Sequence, residues 1–338
     1  MKMGQHSWQF TSNPALISTG VVGGPFEANG KLKEDFDHLY DDIWLEQQSF
    51  EKAQQKMMED AMTIALNKGN ITKEKIDLLF SGDLINQITP TTFAAHTIGT
   101  QFIGLSSACA TSAQSLALGS LAIESNVAQY VLCGTASHHA ATERQFRYPT
   151  EYGGQKPPTA QWTVTGAGFG LLATNGQGPA ITTATIGRVI DLDVTDPFNM
   201  GAAMAPAAVD TIVKHLADRQ VSPSYYDLII TGDLGKIGRS ISIELLHEKG
   251  VQIAEENYND CGLMVYEDEQ LVQAGGSGTA CSAVVTFGHI YQLLTKRTIQ
   301  RVLLVATGSL HSPLSVQQKD SIPCIAHAVS IEAKEGIQ

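Results

Sequence analysis

The stretch with the clearest chemical content is Gly104-Leu105-Ser106-Ser107-Ala108-Cys109-Ala110-Thr111-Ser112. A short apolar run and small residues lead into one cysteine, and an apolar helix-forming segment, Ala113 to Ile123, follows at once. That order reads as strand, tight turn, cysteine, buried helix. At a helix N-terminus, unpaired N–H groups and the positive end of the dipole favour a thiolate. The same position also suits a cysteine that is only a small buried hydrophobe in a close helix–strand contact. Residue type alone leaves both open.

The elements that would position Cys109 are written twice. Asp77-Leu78-Leu79-Phe80-Ser81-Gly82-Asp83-Leu84 is answered by Asp227-Leu228-Ile229-Ile230-Thr231-Gly232-Asp233-Leu234, 150 residues later. Ser107-Ala108-Cys109-Ala110 is answered by Thr279-Ala280-Cys281-Ser282, 172 residues later, and Thr135 and Ser137 meet Thr307 and Ser309 at that same spacing. An insertion of about twenty residues near 251–273 would account for the growth, and the plan predicts two similar halves, 1–176 and 177–338, packed as a pseudo-dimer. An amphipathic helix with Phe50, Ala53, Met57, Ala61, Ile64 and Ala65 precedes the first copy and is expected to end on Lys68-Gly69. Between the halves, 142–159 carries proline, glycine and tyrosine and reads as a long loop. Gly166-Ala167-Gly168-Phe169-Gly170 reads as a strand, not a dinucleotide turn, because no helix follows it.

The whole chain narrows the classes. Its 338 residues are 43% hydrophobic with a net charge of −12. That is enough apolar content for a large core, and no basic face is available to displace counterions from a nucleic acid. Five widely spaced cysteines make neither a disulfide framework nor a CxxC metal signature. The first fifteen residues lack a signal peptide's apolar core, and no run reaches the roughly 18–20 residues of a membrane span. The expectation is a soluble or peripheral protein in a reducing compartment.

Two halves, a cysteine opening a buried helix in the first, and a glycine-rich segment, Gly276-Ser277-Gly278-Thr279, opening its counterpart resemble the thiolase superfamily, with ketoacyl synthases as the nearest analogues. The resemblance implies an α/β fold of five layers, αβαβα, commonly a homodimer, with Cys109 at the nucleophile position. Two partners depart from that pattern. Where ketoacyl synthase III has a histidine motif after the second-half strand, this chain has Gly232-Asp233-Leu234-Gly235, and the later asparagine is absent from 276–279. A carboxylate there opposes thiolate formation and cannot donate to an oxyanion unless protonated. Of ten histidines, His138, His139, His311 and His327 are the ones topology could bring near.

Thr142 to Lys156, Asn259-Asp260-Cys261-Gly262-Leu263-Met264, Ala274-Gly275-Gly276-Ser277-Gly278 and Ser321-Ile322-Pro323-Cys324-Ile325-Ala326-His327 together resemble the stage V sporulation protein AD family. That resemblance implies a non-catalytic component of the SpoVA complex at the inner membrane of the forespore and spore. It implies binding of dipicolinic acid or its calcium chelate for uptake and for release at germination, with the other SpoVA membrane proteins as partners. A planar dianion asks for N–H or cationic donors and an apolar slot. The residues offered for it are Cys109, Ser137, His138, Ser277 and Thr279, with Arg144 or Arg147 as a carboxylate clamp. Asp83 or Asp233 would complete an oxygen shell if calcium arrives with the ligand, and no resident cofactor or metal is expected. The rival readings are an active acyltransferase using Cys109 and a scaffold whose pocket stays empty.

Overall fold

The structure is a computed structural model that describes residues 1–147, without the side chain of Arg147, and 156–334. The first half runs β1 (Ala15–Gly23), α1 (Phe50–Gly69), β2 (Leu78–Gly82), α2 (Thr89–Ile98), β3 (Phe102–Gly104), α3 (Thr111–Glu124), β4 (Tyr130–Ser137), α4 (His139–Arg147) and β5 (Gly166–Ala173). The second runs β6 (Ala180–Thr185), α5 (Met200–Arg219), β7 (Leu228–Thr231), α6 (Gly235–Glu248), β8 (Tyr258–Asp260), α7 (Thr279–Val284, continued by further turns to Thr295), β9 (Arg301–Ser309), α8 (Pro313–Gln317) and β10 (Cys324–Glu332).

Strand order across the sheet is β8-β7-β9-β10-β6-β1-β5-β4-β2-β3, so each half repeats one five-strand arrangement. Within each half the second strand pairs parallel with the third and fourth, and the fifth pairs antiparallel with the fourth. The halves meet edge to edge along β6, which pairs antiparallel with β1 at Ala180–Ala15 and with the N-terminal residues Ser7–Gln9 at Thr183–Thr185. Helices α1 and α5 cover the outer faces, while α3 and α7 lie between the halves, with Ser112 Oγ 2.7 Å from Ser282 Oγ. The layers are therefore αβαβα.

The glycine alternation in β5 has a packing cause. A Cβ on Gly168 would stand 2.7 Å from the backbone of Ala283, so the bare strand lets α7 lie directly on the sheet. Helix α1 ends one residue later than expected. Asn70 is the left-handed cap, at φ 51°, and Gly69 is the last helical residue because a Cβ there would press on Ser18 Oγ at 2.7 Å.

The interhalf stretch differs from its expected form. Residues 142–147 are the end of α4, not loop, because the breakers Pro149, Gly153 and Gly154 all come later and Ala140, Ala141, Glu143, Arg144 and Gln145 favour helix. The insertion is narrower too, because β8 already sits 156 residues beyond β3, leaving most of the extra chain between Asp260 and Gly276. All five cysteines are buried and unpaired.

Candidate functional site

Cys109 sits in one 3₁₀ turn, Ala108–Ala110, between β3 and α3. Ala108 ahead of it takes φ 49°, a left-handed conformation that a side chain adopts at a cost and that turns the sulfur inward. The turn is held from the other half. A Cβ on Gly308 of β9 would lie 2.3 Å from the Ser107 carbonyl oxygen, so only glycine allows β9 this close. His327 of β10 fixes the same turn. The Gly187 N–H donates to its Nδ1 at 3.3 Å, which leaves the proton on Nε2, 3.3 Å from Ser107 Oγ. Burial lowers the His327 pKa to about 4, so the ring is neutral at ordinary pH.

The sulfur faces Asp233. This carboxylate is buried and accepts from Thr307 Oγ1 at 2.8 Å, Ser277 Oγ at 2.7 Å and the Gly278 N–H at 3.2 Å. Burial pushes the thiol well above its ordinary range, and the Asp233 charge adds to it. Burial raises Asp233 as well. Among the described residues no imidazole hydrogen-bonds the sulfur: His327 holds Ser107, His311 Nδ1 is 2.9 Å from Ser309 Oγ, and His138 Nε2 donates to the Ile43 carbonyl at 2.7 Å.

Asp83, the repeat partner of Asp233, does different work. It accepts from the Ile85 N–H at 2.7 Å, from the Thr91 N–H at 3.0 Å and from the Thr91 hydroxyl, tying down the entry to α2. In the second half Asp260 takes over that task, accepting from the Leu234 and Gly235 N–H groups at 2.8 and 3.0 Å. Asp233 is thereby released toward the cysteine.

Cys109, Asp83 and Ser277 line a cavity of about 740 Å³ between the halves. Its apolar walls include Ile88, Leu105, Phe146, Phe198, Met200 and Leu310, and its polar side chains include Thr142, Glu143, Gln161 and His311. Gln161 is clamped through Nε2 to the carbonyls of Asp233 and Gly276, at 2.7 and 3.1 Å. Its Oε1 and the Thr142 hydroxyl are buried without a partner, which is costly unless something binds there. Among the described lining residues there is no arginine or lysine.

The other expected site residues stand elsewhere. Ser137 donates to the Val164 carbonyl at 2.7 Å and accepts from the Ala280 N–H at 3.1 Å, capping α7, and Thr279 donates to the Ala136 carbonyl. Both therefore belong to the seam between halves, and the α7 N-terminus around Cys281 is already satisfied. His138 stacks on Phe50 behind β4, their ring centroids 5.2 Å apart, and does not line the cavity. Arg144 points outward into an ion pair with Glu51. The side chain of Arg147 lies outside the described residues, as do Tyr148 to Gln155. Sequence reading missed Gln161, Phe146, Phe198 and Met200, which carry no spacing signal and meet only through the fold.

Comparison with known proteins agrees with this architecture. The family model for stage V sporulation protein AD (SpoVAD) matches residues 4–332. Stage V sporulation protein AD of Bacillus subtilis (strain 168) is 46% identical over 333 residues, 98% of each chain. The 3-oxoacyl-[acyl-carrier-protein] synthase III of Aquifex aeolicus VF5 superposes with a TM-score of 0.60 at 14% identity, covering 94% of this chain and 99% of its own. Human mitochondrial 3-ketoacyl-CoA thiolase does so at 0.58 and 12%, covering 96% and 100%. At those identities the enzymes share the thiolase-type fold. By extent and identity of match, this chain belongs to the stage V sporulation protein AD family.

Proposed function

We propose that this protein binds dipicolinic acid or its calcium chelate in the Cys109 cavity, without turning it over, as a component of the SpoVA complex serving uptake into the forespore and release at germination. The observation that carries the reading is the pairing of Cys109 with Asp233 where an acyl-transfer enzyme needs a base and an oxyanion donor. A thiol held protonated by burial and a neighbouring carboxylate is a cavity wall, not a nucleophile. The cavity volume, about 740 Å³, falls within the range of small-molecule sites.

Charge favours the chelate over the free dianion. Asp83 and Glu143 line the cavity, Glu143 paired with Lys156 at 2.9 Å, and no lysine or arginine is among the described lining residues, so a free dianion meets no unpaired cation there. A neutral chelate needs none, and the unpartnered Gln161 Oε1 offers oxygen to its metal.

No helix among the described residues is long and apolar enough to cross a membrane; the SpoVA membrane proteins are the proposed partners that hold this chain at the inner membrane. The exposed Phe93 and Ile103, beside the end strand β3, support a homodimer formed there. Calorimetric titration with dipicolinate, with and without calcium, tests the binding. Saturable heat that is greater with calcium supports the reading. No heat in either condition rejects it.

A further inference from the structure

The connection 186–199, between β6 and α5, has no regular structure beyond one bridge, Ile190 to Cys324. Irregular connections of that length in compact domains are commonly functional. It is nonetheless pinned. The Ile322 N–H donates to the Val194 carbonyl at 2.8 Å, and Ser321 Oγ donates to Asp191 at 2.6 Å. One side of this segment, with Pro197 and Phe198, walls the Cys109 cavity, and so do Pro313 and Val316 of α8. The other side faces out. Leu192 is 63% exposed and Leu314 of α8 62%, with Val189 at 53%. Asp193 and Asp196 are exposed along the loop, whose Arg188 is paired with Asp210 at 3.1 Å, and Lys319 and Asp320 follow α8.

Large apolar side chains held outward on a pinned frame, interleaved with carboxylates, make a surface of defined chemistry. Carboxylates repel an anionic bilayer and a second acidic chain of the same charge. They attract lysine and arginine, while the leucines need apolar partners. We propose that loop 187–198 and helix α8 form a docking surface for a polypeptide segment in which lysine or arginine flanks apolar residues. This stands whatever fills the cavity. Because the same segment walls the cavity, the occupant would sit at its rim.

The test uses a fluorescein-labelled synthetic peptide built of Lys-Leu-Leu-Lys repeats, titrated with the full chain at about 0.15 M salt and followed by anisotropy. The proposal predicts saturable binding, weakened about tenfold or more by Asp193→Lys and, separately, by Leu192→Ser with Leu314→Ser. Glu244→Gln with Glu248→Gln, exposed on α6, should leave it unchanged. Circular dichroism melts of each variant establish that the fold is retained. Absence of binding, or equal weakening by the α6 pair, overturns the proposal. Leucine-dependent binding to phosphatidylcholine–phosphatidylglycerol vesicles assigns the surface to lipid and overturns it too.

Discussion

The Asp233 carboxylate is held beside the Cys109 thiol across the seam between the halves, and its charge adds to burial in keeping the sulfur from ionising. The carboxylate in turn is occupied by the Thr307 and Ser277 hydroxyls and the Gly278 N–H. The arrangement exists because Asp260 caps α6 in place of Asp233.

Replacing Asp233 with Asn removes the charge but not the burial. The Cys109 pKa should fall, and each unit of fall raises the thiolate fraction about tenfold at neutral pH. Iodoacetamide alkylation followed by mass spectrometry at pH 7 should be very slow at Cys109 in the natural protein and faster in Asp233→Asn. Rapid alkylation of the natural protein would contradict the assignment.

The Thr142 hydroxyl, buried and unpartnered on the cavity wall, separates stability from binding. Thr142→Val keeps the shape and loses only the hydroxyl. Stability to urea should be unchanged or higher, since an unpaired buried group costs about 1–3 kcal/mol. Ligand affinity should drop about three- to tenfold, the worth of one hydrogen bond. Equal affinity would show that the hydroxyl faces no ligand.

Gly308→Ala places a methyl group against the Ser107 carbonyl, in β9 and in the turn of Cys109 respectively. Overpacking there should cost about 1–3 kcal/mol in denaturant unfolding and weaken ligand binding by displacing the turn. An unchanged dissociation constant would mean that the turn does not shape the cavity.

Glu27 gives a pH dependence with a definite sign. Buried entirely, and accepting from the Tyr266 hydroxyl and the Thr165 N–H, it has a pKa raised by burial from 4.5 to about 7. The unfolded chain loses this proton near pH 4.5 while the folded protein keeps it until about 7. Its contribution is therefore full below pH 4.5 and is lost as pH rises through 7, by about 3 kcal/mol. Glu27→Gln keeps an acceptor and cannot ionise. In urea unfolding it should stabilise the protein at pH 8 and change little at pH 4.5. A gain of equal size at both would contradict the burial argument.

Much of the frame was legible in the sequence. The repeat offsets at Asp77 and Asp227 expose the two halves, and the strand-to-helix change around Cys109 is local chemistry that composition records directly. The site was less so. Arg144 reads as a free clamp because its partner, Glu51, lies 93 residues upstream. Ser137 and Thr279 read as pocket hydroxyls, but they bond across the seam at the start of α7, and which way they face depends on sheet packing. Asp83 and Asp233 are the same letter in a repeat, and their divergence follows from Asp260, whose counterpart at the end of β3 is Gly104. The wall residues Gln161, Phe198 and Met200 converge through pairing of distant strands, which leaves no periodic trace.

The most direct measurement is a calorimetric titration of calcium-dipicolinate into the natural protein, Cys109→Ser and Cys109→Phe. A wall residue predicts similar dissociation constants for the natural and serine forms, and no binding to the phenylalanine form, whose ring would fill the slot. Loss of binding in the serine form, together with an acyl adduct on the natural cysteine after exposure to acyl-CoA, would contradict the account and return Cys109 to the role of nucleophile.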